Sequence, residues 1–205
     1  MTAGIHTIGY PEPIAMMIGW LVFFAALAAA RWRARGAPRN AGGKRDRRSI
    51  AWIMLQGLGI GVVGVGPILR SAEPYALRHW LAGTAVLALF AATAALFHWA
   101  SVTMGRNWAL VARTRGDGNL VTTGPFVHVR NPIYLALALF LFALALGMGH
   151  WGAVLVGLPI YALATWLRVR SEEAVLRATF GKSFDAYAQR VPRFVPNFLP
   201  TRPVD

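Results

Sequence analysis

Residues 132–167 read PIYLALALFLFALALGMGHWGAVLVGLPIYALATWL, with no Asp, Glu, Lys or Arg among them. Only Gly149 and His150 interrupt the apolar run, dividing it into Pro132–Met148 and Trp151–Leu167. A helix needs roughly 20 apolar residues to cross a bilayer. Two apolar segments joined by two residues therefore read as a tight helical hairpin. Moving outward, three more stretches have the required length: Pro13–Ala30, Ile50–Leu69 and Trp80–Val102. The sequence predicts an all-α integral membrane protein with about five transmembrane helices.

Composition agrees. Of 205 residues, 56% are hydrophobic and only 14% charged, where a soluble domain carries about 25% charged residues. The net charge of +13 does not indicate nucleic-acid binding, because the basic residues lie between apolar runs and not along polar segments. Cysteine is absent, which excludes disulfides, thiolate metal sites and Cys nucleophiles. The five histidines show no ligand spacing, so no metal site is expected. The first apolar run has no Lys or Arg before it and reads as a span, not a signal peptide.

Charge also sets orientation. Nineteen of the 21 Lys and Arg fall in the 31–49 loop, the 103–131 connection or the segment beyond Leu167; only Arg70 and Arg78 face the other way. By the positive-inside rule the N-terminus lies outside and the C-terminus is cytoplasmic, with a bacterial inner membrane the expected location. Trp32, Trp52, Trp80, Trp99, Trp151 and Trp166 fall at span ends, as an interfacial belt requires. Gly57 and Gly61 have G-x-x-x-G spacing, a face expected to pack on a neighbour or to form a homo-oligomer. Gln56 and His98 are lone polar residues in apolar runs; each is expected to make one interhelical hydrogen bond.

The remaining polar information sits in two places. Residues 118–134 read GNLVTTGPFVHVRNPIY. Glycines here permit close approach and unusual dihedrals, and Pro132 suits the first turn of a helix. Residues 168–192 read RVRSEEAVLRATFGKSFDAYAQRVP. If the fifth helix continues, Arg168 and Glu172 lie at i,i+4 on one face; alternatively Ser171 caps a new helix. Leu176, Phe180, Phe184 and Tyr187 form a helical stripe beyond it. Residues 1–102 thus form a three-helix membrane region, and 103–205 holds both polar segments around the helical hairpin.

Together the two segments resemble the isoprenylcysteine carboxyl methyltransferase family, including its phospholipid N-methyltransferase relatives, from about Gly118 to Pro192. The resemblance implies a membrane methyltransferase using S-adenosylmethionine and releasing S-adenosylhomocysteine. It places Gly118, Asn119, Leu120, Val121 and Phe126 against the cofactor, with Asn131, Pro132, Ile133 and Tyr134 on its other side. Glu172 would take the amino-acid or ribose end. Arg130 and Arg168 stand where the family has substrate-handling arginines and, with Glu172, are the catalytic candidates. Phe126 and Asn131 replace the family's usual Tyr and His.

The implied substrate is a lipid-like molecule entering from the bilayer, an isoprenylcysteine-type or other amphiphilic carboxylate. Phospholipid N-methylation is the alternative reaction. From other classes come a non-catalytic membrane protein or transporter, and a sterol-type reductase, which lacks support because no dinucleotide fingerprint is present.

Overall fold

The apolar hairpin forms as the sequence predicts. The computed structural model describes residues 6–35, 47–105 and 120–197. Among these residues six α-helices follow in order: α1 (Pro11–Ala34), α2 (Arg47–Gly64), α3 (Leu77–Met104), α4 (Pro132–Met148), α5 (Trp151–Phe180) and α6 (Lys182–Arg190). A 3-10 turn, Gly124–Val127, precedes α4. No sheet forms among the described residues; an isolated bridge joins Ile8 and Arg70. The molecule is an all-α integral membrane protein.

Helices α1, α3 and α5 are long and apolar enough to cross a membrane, whereas α2 and α4 are shorter apolar helices. The second span stops at Gly64, short of the expected Leu69. Pro67 lacks an N–H, and a proline disfavours the α conformation of its predecessor. The basic connector is also shorter than 31–49, since α1 runs to Ala34 and α2 starts at Arg47. At 30 residues, α5 is about 45 Å long and reaches beyond a hydrocarbon core of about 30 Å. Its last turns therefore project from the bundle as a polar extension.

Two helix pairs, α1 with α3 and α2 with α5, are joined by α4, which touches all four. That position explains why α4 is hydrophobic on every side. Leu141 and Leu144 of α4 pack with Val63, Val86, Phe90 and Tyr161 in the principal core. Close approach of α2 to α5 rests on Gly59 and Gly157: a Cβ on Gly59 would stand 2.7 Å from the Tyr161 nitrogen and 2.8 Å from the Gly157 oxygen. A Cβ on Gly57 or Gly61 would meet nothing beyond its own stretch of helix within 4 Å among the described residues. At about 100° per residue, Gly59 faces away from both; the in-chain contact uses the glycine between them.

The two ends of the bundle differ. At one end the segment before α1 is tied down, with His6 N–H donating to the Gly149 oxygen at 2.9 Å and Ile8 N–H to the Leu69 oxygen at 2.9 Å. Here Glu12 and His79, both buried, meet at 2.6 Å. Glu12 also accepts from the Gly9 N–H at 3.1 Å. His150 lies with its ring nitrogens 3.0 and 3.2 Å from the Val63 and Pro67 oxygens, stapling the end of α2 to the hairpin. The opposite end carries the polar extension.

Candidate active site

The extension of α5 is continuous through Phe180. Of the two readings of Ser171 the uninterrupted helix holds, since the Ser171 hydroxyl donates to the Arg168 carbonyl at 2.9 Å. Arg168 and Glu172 therefore share a face, Nε to Oε1 3.0 Å apart. Tyr134, in the first turn of α4, donates its hydroxyl to the same carboxylate at 2.8 and 2.9 Å. The Arg168 guanidinium lies 5.3 Å from the centroid of the Tyr134 ring, within cation–π range. The Tyr134 carbonyl accepts the Tyr161 hydroxyl at 2.6 Å. One further helix joins this cluster: Gln56 of α2 accepts from Arg168 Nη1 at 3.1 Å and donates to Thr165 Oγ1 at 2.8 Å. The expectation of one interhelical bond understated Gln56, which makes two.

The neighbouring carboxylate has a different environment. Glu173 is 4% exposed and accepts from Arg130 Nε at 3.0 Å and from Arg193 at 2.6 and 3.1 Å. Arg130 Nη1 also donates to the carbonyls of Ala188 and, at 2.8 Å, Val191. The Asn131 amide donates to the Arg193 oxygen at 3.1 Å. Chain segment 128–131 and the tail after α6 are thus fastened together, and Arg130 N–H adds a bond to the Pro192 oxygen at 2.9 Å. Successive helical side chains point about 100° apart, so the two glutamates must find separate partners. Arg130 and Arg168, both candidates for handling the substrate, pair with different carboxylates.

The loop before α4 packs on α3, α6 and the tail. Gly124, with φ of 60°, sits against Thr103 and Trp99 of α3, where a Cβ would collide; this glycine needs the freedom the sequence suggested. Phe126 is buried, and its carbonyl accepts the Tyr187 hydroxyl at 2.8 Å. Burial pushes the Tyr187 phenol up to about 12, with Glu173 adding to the rise and Arg130 opposing it. Leu120 packs on Phe184, Tyr187 and Val191; Val121 beside it is half-buried. Pro132 is buried at the start of α4, and Ile133 packs toward Phe23 and Phe97. Gly118 and Asn119 lie outside the described residues. An open hollow of about 480 Å³ lies beside Arg130, between α6 and the tail; neither Glu172 nor Tyr134 lines it.

Sequence reasoning paired Arg168 with Glu172 but missed the Tyr134 bond to the same carboxylate, the Arg130–Glu173–Arg193 clamp and the second bond of Gln56. The adjacent glutamates were the available signal, because neighbouring carboxylates on a helix cannot share one set of donors. Among the described residues, no three His, Asp or Glu side chains gather where they could hold a metal ion.

The sequence model of the phospholipid methyltransferase family matches residues 78–183. The match runs from the start of α3 through the candidate site to the start of α6, and the chain belongs to this family. Among curated relatives it is 37% identical over 99 residues to the nickel-cobalt-cadmium resistance protein NccN of Alcaligenes xylosoxydans xylosoxydans, covering 46% of this chain and 44% of that protein. It is 30% identical over 103 residues to the protein-S-isoprenylcysteine O-methyltransferase of Schizosaccharomyces pombe, covering 47% and 42%. The cobalt-zinc-cadmium resistance protein CzcN of Cupriavidus metallidurans is 35% identical over 99 residues, with 46% and 44% covered. The chain spans less than half the length of these relatives.

Proposed function

We propose that the protein transfers a methyl group from S-adenosylmethionine to a lipid-like acceptor at the membrane surface. The observation that carries this reading is the Tyr134–Glu172–Arg168 cluster, built where α4 and α5 leave the apolar bundle. The Glu172 side chain is 20% exposed. A carboxylate offers about four lone-pair sites. The single Tyr134 proton and Arg168 Nε use two of them, leaving capacity for further donors. A ligand bearing hydroxyls and an ammonium group fits that acceptor set.

The cofactor supplies an activated methyl on a sulfonium, which an acceptor displaces in line. The protein's contribution is then positioning and electrostatics. Glu172 binds the polar part of the cofactor. Leu120, Val121 and Phe126 cover its less polar parts and exclude water. Arg168, one helical turn nearer the bilayer than Glu172, places its positive charge there, where it favours the approach of an anionic head group. An amphiphilic carboxylate such as an isoprenylcysteine is ionised near pH 7 and needs no general base.

A second reading, N-methylation of a phospholipid amine, is favoured by the description of the matching family. An amine must first lose a proton. Glu173 is closed off by two arginines, which leaves Glu172 or a water as the base. We place this end of the bundle at the cytoplasmic face on the distribution of Lys and Arg.

Calorimetric titration of S-adenosylhomocysteine into detergent-purified protein tests the reading. Micromolar binding is expected, lost in Glu172→Ala and weakened in Asn131→Ala. Failure of the folded wild type to bind overturns it. With N-acetyl-S-farnesylcysteine and phosphatidylethanolamine as acceptors, a base-labile methyl ester marks the first reading and a stable methylamine the second.

A further inference from the structure

Helix α2 lies outside the region that matches the family, 78–183, yet it sends Gln56 to the candidate site. Gln56 is 3% exposed. Its two ends are assigned by their partners: the oxygen faces the Arg168 guanidinium, which can only donate, and the amide nitrogen faces Thr165 Oγ1. Turning the amide over would set NH2 against guanidinium, donor against donor. Arg168 therefore sets which way the amide turns, and Thr165, accepting from its nitrogen, anchors the other end.

The consequence reaches Glu172. The Arg168 guanidinium is planar and rigid. With Nη1 on Gln56, Nε on Glu172 and its carbon over the Tyr134 ring, its plane is fixed from three helices. We propose that Gln56 is a positioning residue of the cofactor site, acting through Arg168 to hold the Glu172 carboxylate in its binding orientation. The proposal rests on the methyltransferase reading. The alternative role for a buried amide between helices is adhesion of α2 to α5, in which Arg168 is incidental.

The two roles separate in a double-mutant cycle read by S-adenosylhomocysteine affinity, with melting temperature followed in parallel. Gln56→Leu keeps the volume and removes both bonds; Arg168→Met removes the guanidinium. Positioning predicts that Gln56→Leu weakens binding about tenfold, the effect of a hydrogen bond to a charged group. In the Arg168→Met background the same substitution should add less than a twofold loss, because Gln56 then has nothing to position. Thr165→Val, which frees the amide without removing it, should weaken binding to an intermediate degree. Unchanged affinity in Gln56→Leu overturns the proposal while leaving the methyltransferase reading intact. Equal fold losses in the two backgrounds also overturn it, because they show adhesion alone. Absence of binding in the folded wild type overturns the methyltransferase reading and this proposal with it.

Discussion

At the scale of single residues, the site is defined by which donor each carboxylate receives. Glu172 keeps acceptor capacity that is partly exposed, whereas Glu173 is buried between two arginines, although the sequence writes them side by side. Periodicity shows that they diverge; it does not say which one faces Tyr134, because that depends on how α4 lies against α5. Tyr187 has a similar history. The helical stripe places it on an apolar face, but its hydroxyl bond to the Phe126 carbonyl arises from a loop 61 positions away. Because its phenol is raised to about 12 from an ordinary value of about 10, the folded state holds the proton more tightly than the unfolded chain. The stabilisation is therefore complete below pH 10 and is lost as pH climbs toward 12. The difference in tyrosinate absorbance between wild type and Tyr187→Phe should titrate near pH 12, and the variant should lose about 1 kcal/mol at neutral pH. A difference titration centred at 10 would contradict the buried bond.

At the scale of elements, helix existence was legible from apolar run length, and α4 has the predicted ends. Helix ends elsewhere moved for local reasons: Pro67 behind the early stop of α2, and polar turns that carry α5 well past its apolar run. The glycines of α2 show what a one-dimensional motif leaves out. Spacing singles out Gly57 and Gly61, while three-dimensional packing uses Gly59. Gly59→Ala should destabilise by about 1–3 kcal/mol, since the added methyl meets α5 backbone. Gly57→Ala should be neutral or stabilising by up to about 1 kcal/mol, the ordinary helical preference for Ala. Thermal unfolding of the two variants in the same detergent checks the contrast. Reversed signs would mean that α2 packs through its other face.

At the scale of the whole molecule, the two ends have separate jobs. The end bearing His6, Glu12, His79 and His150 consists of contacts that close the bundle, and the other end bears the candidate site. The sequence gives no local cue to the Glu12–His79 pair, whose members are 67 positions apart. Glu12→Ala would leave the Gly9 N–H and a His79 ring nitrogen buried without their partner, at a cost of about 1–3 kcal/mol. Melting temperature should fall while S-adenosylhomocysteine affinity stays within twofold of wild type. A large loss of affinity with an unchanged melting temperature would show instead that the ends are coupled.

The clamp around Arg130 bears on how the chain matures. Its guanidinium waits for the carbonyls of Ala188 and Val191, 58 and 61 residues further along, with the whole helical hairpin threaded between. During synthesis, then, the hairpin must enter the lipid while the segment before it still lies open to water. The site closes only when the tail returns to meet it, so a ribosome that stops short of Arg193 leaves a bundle already inserted and a pocket without its last fastening.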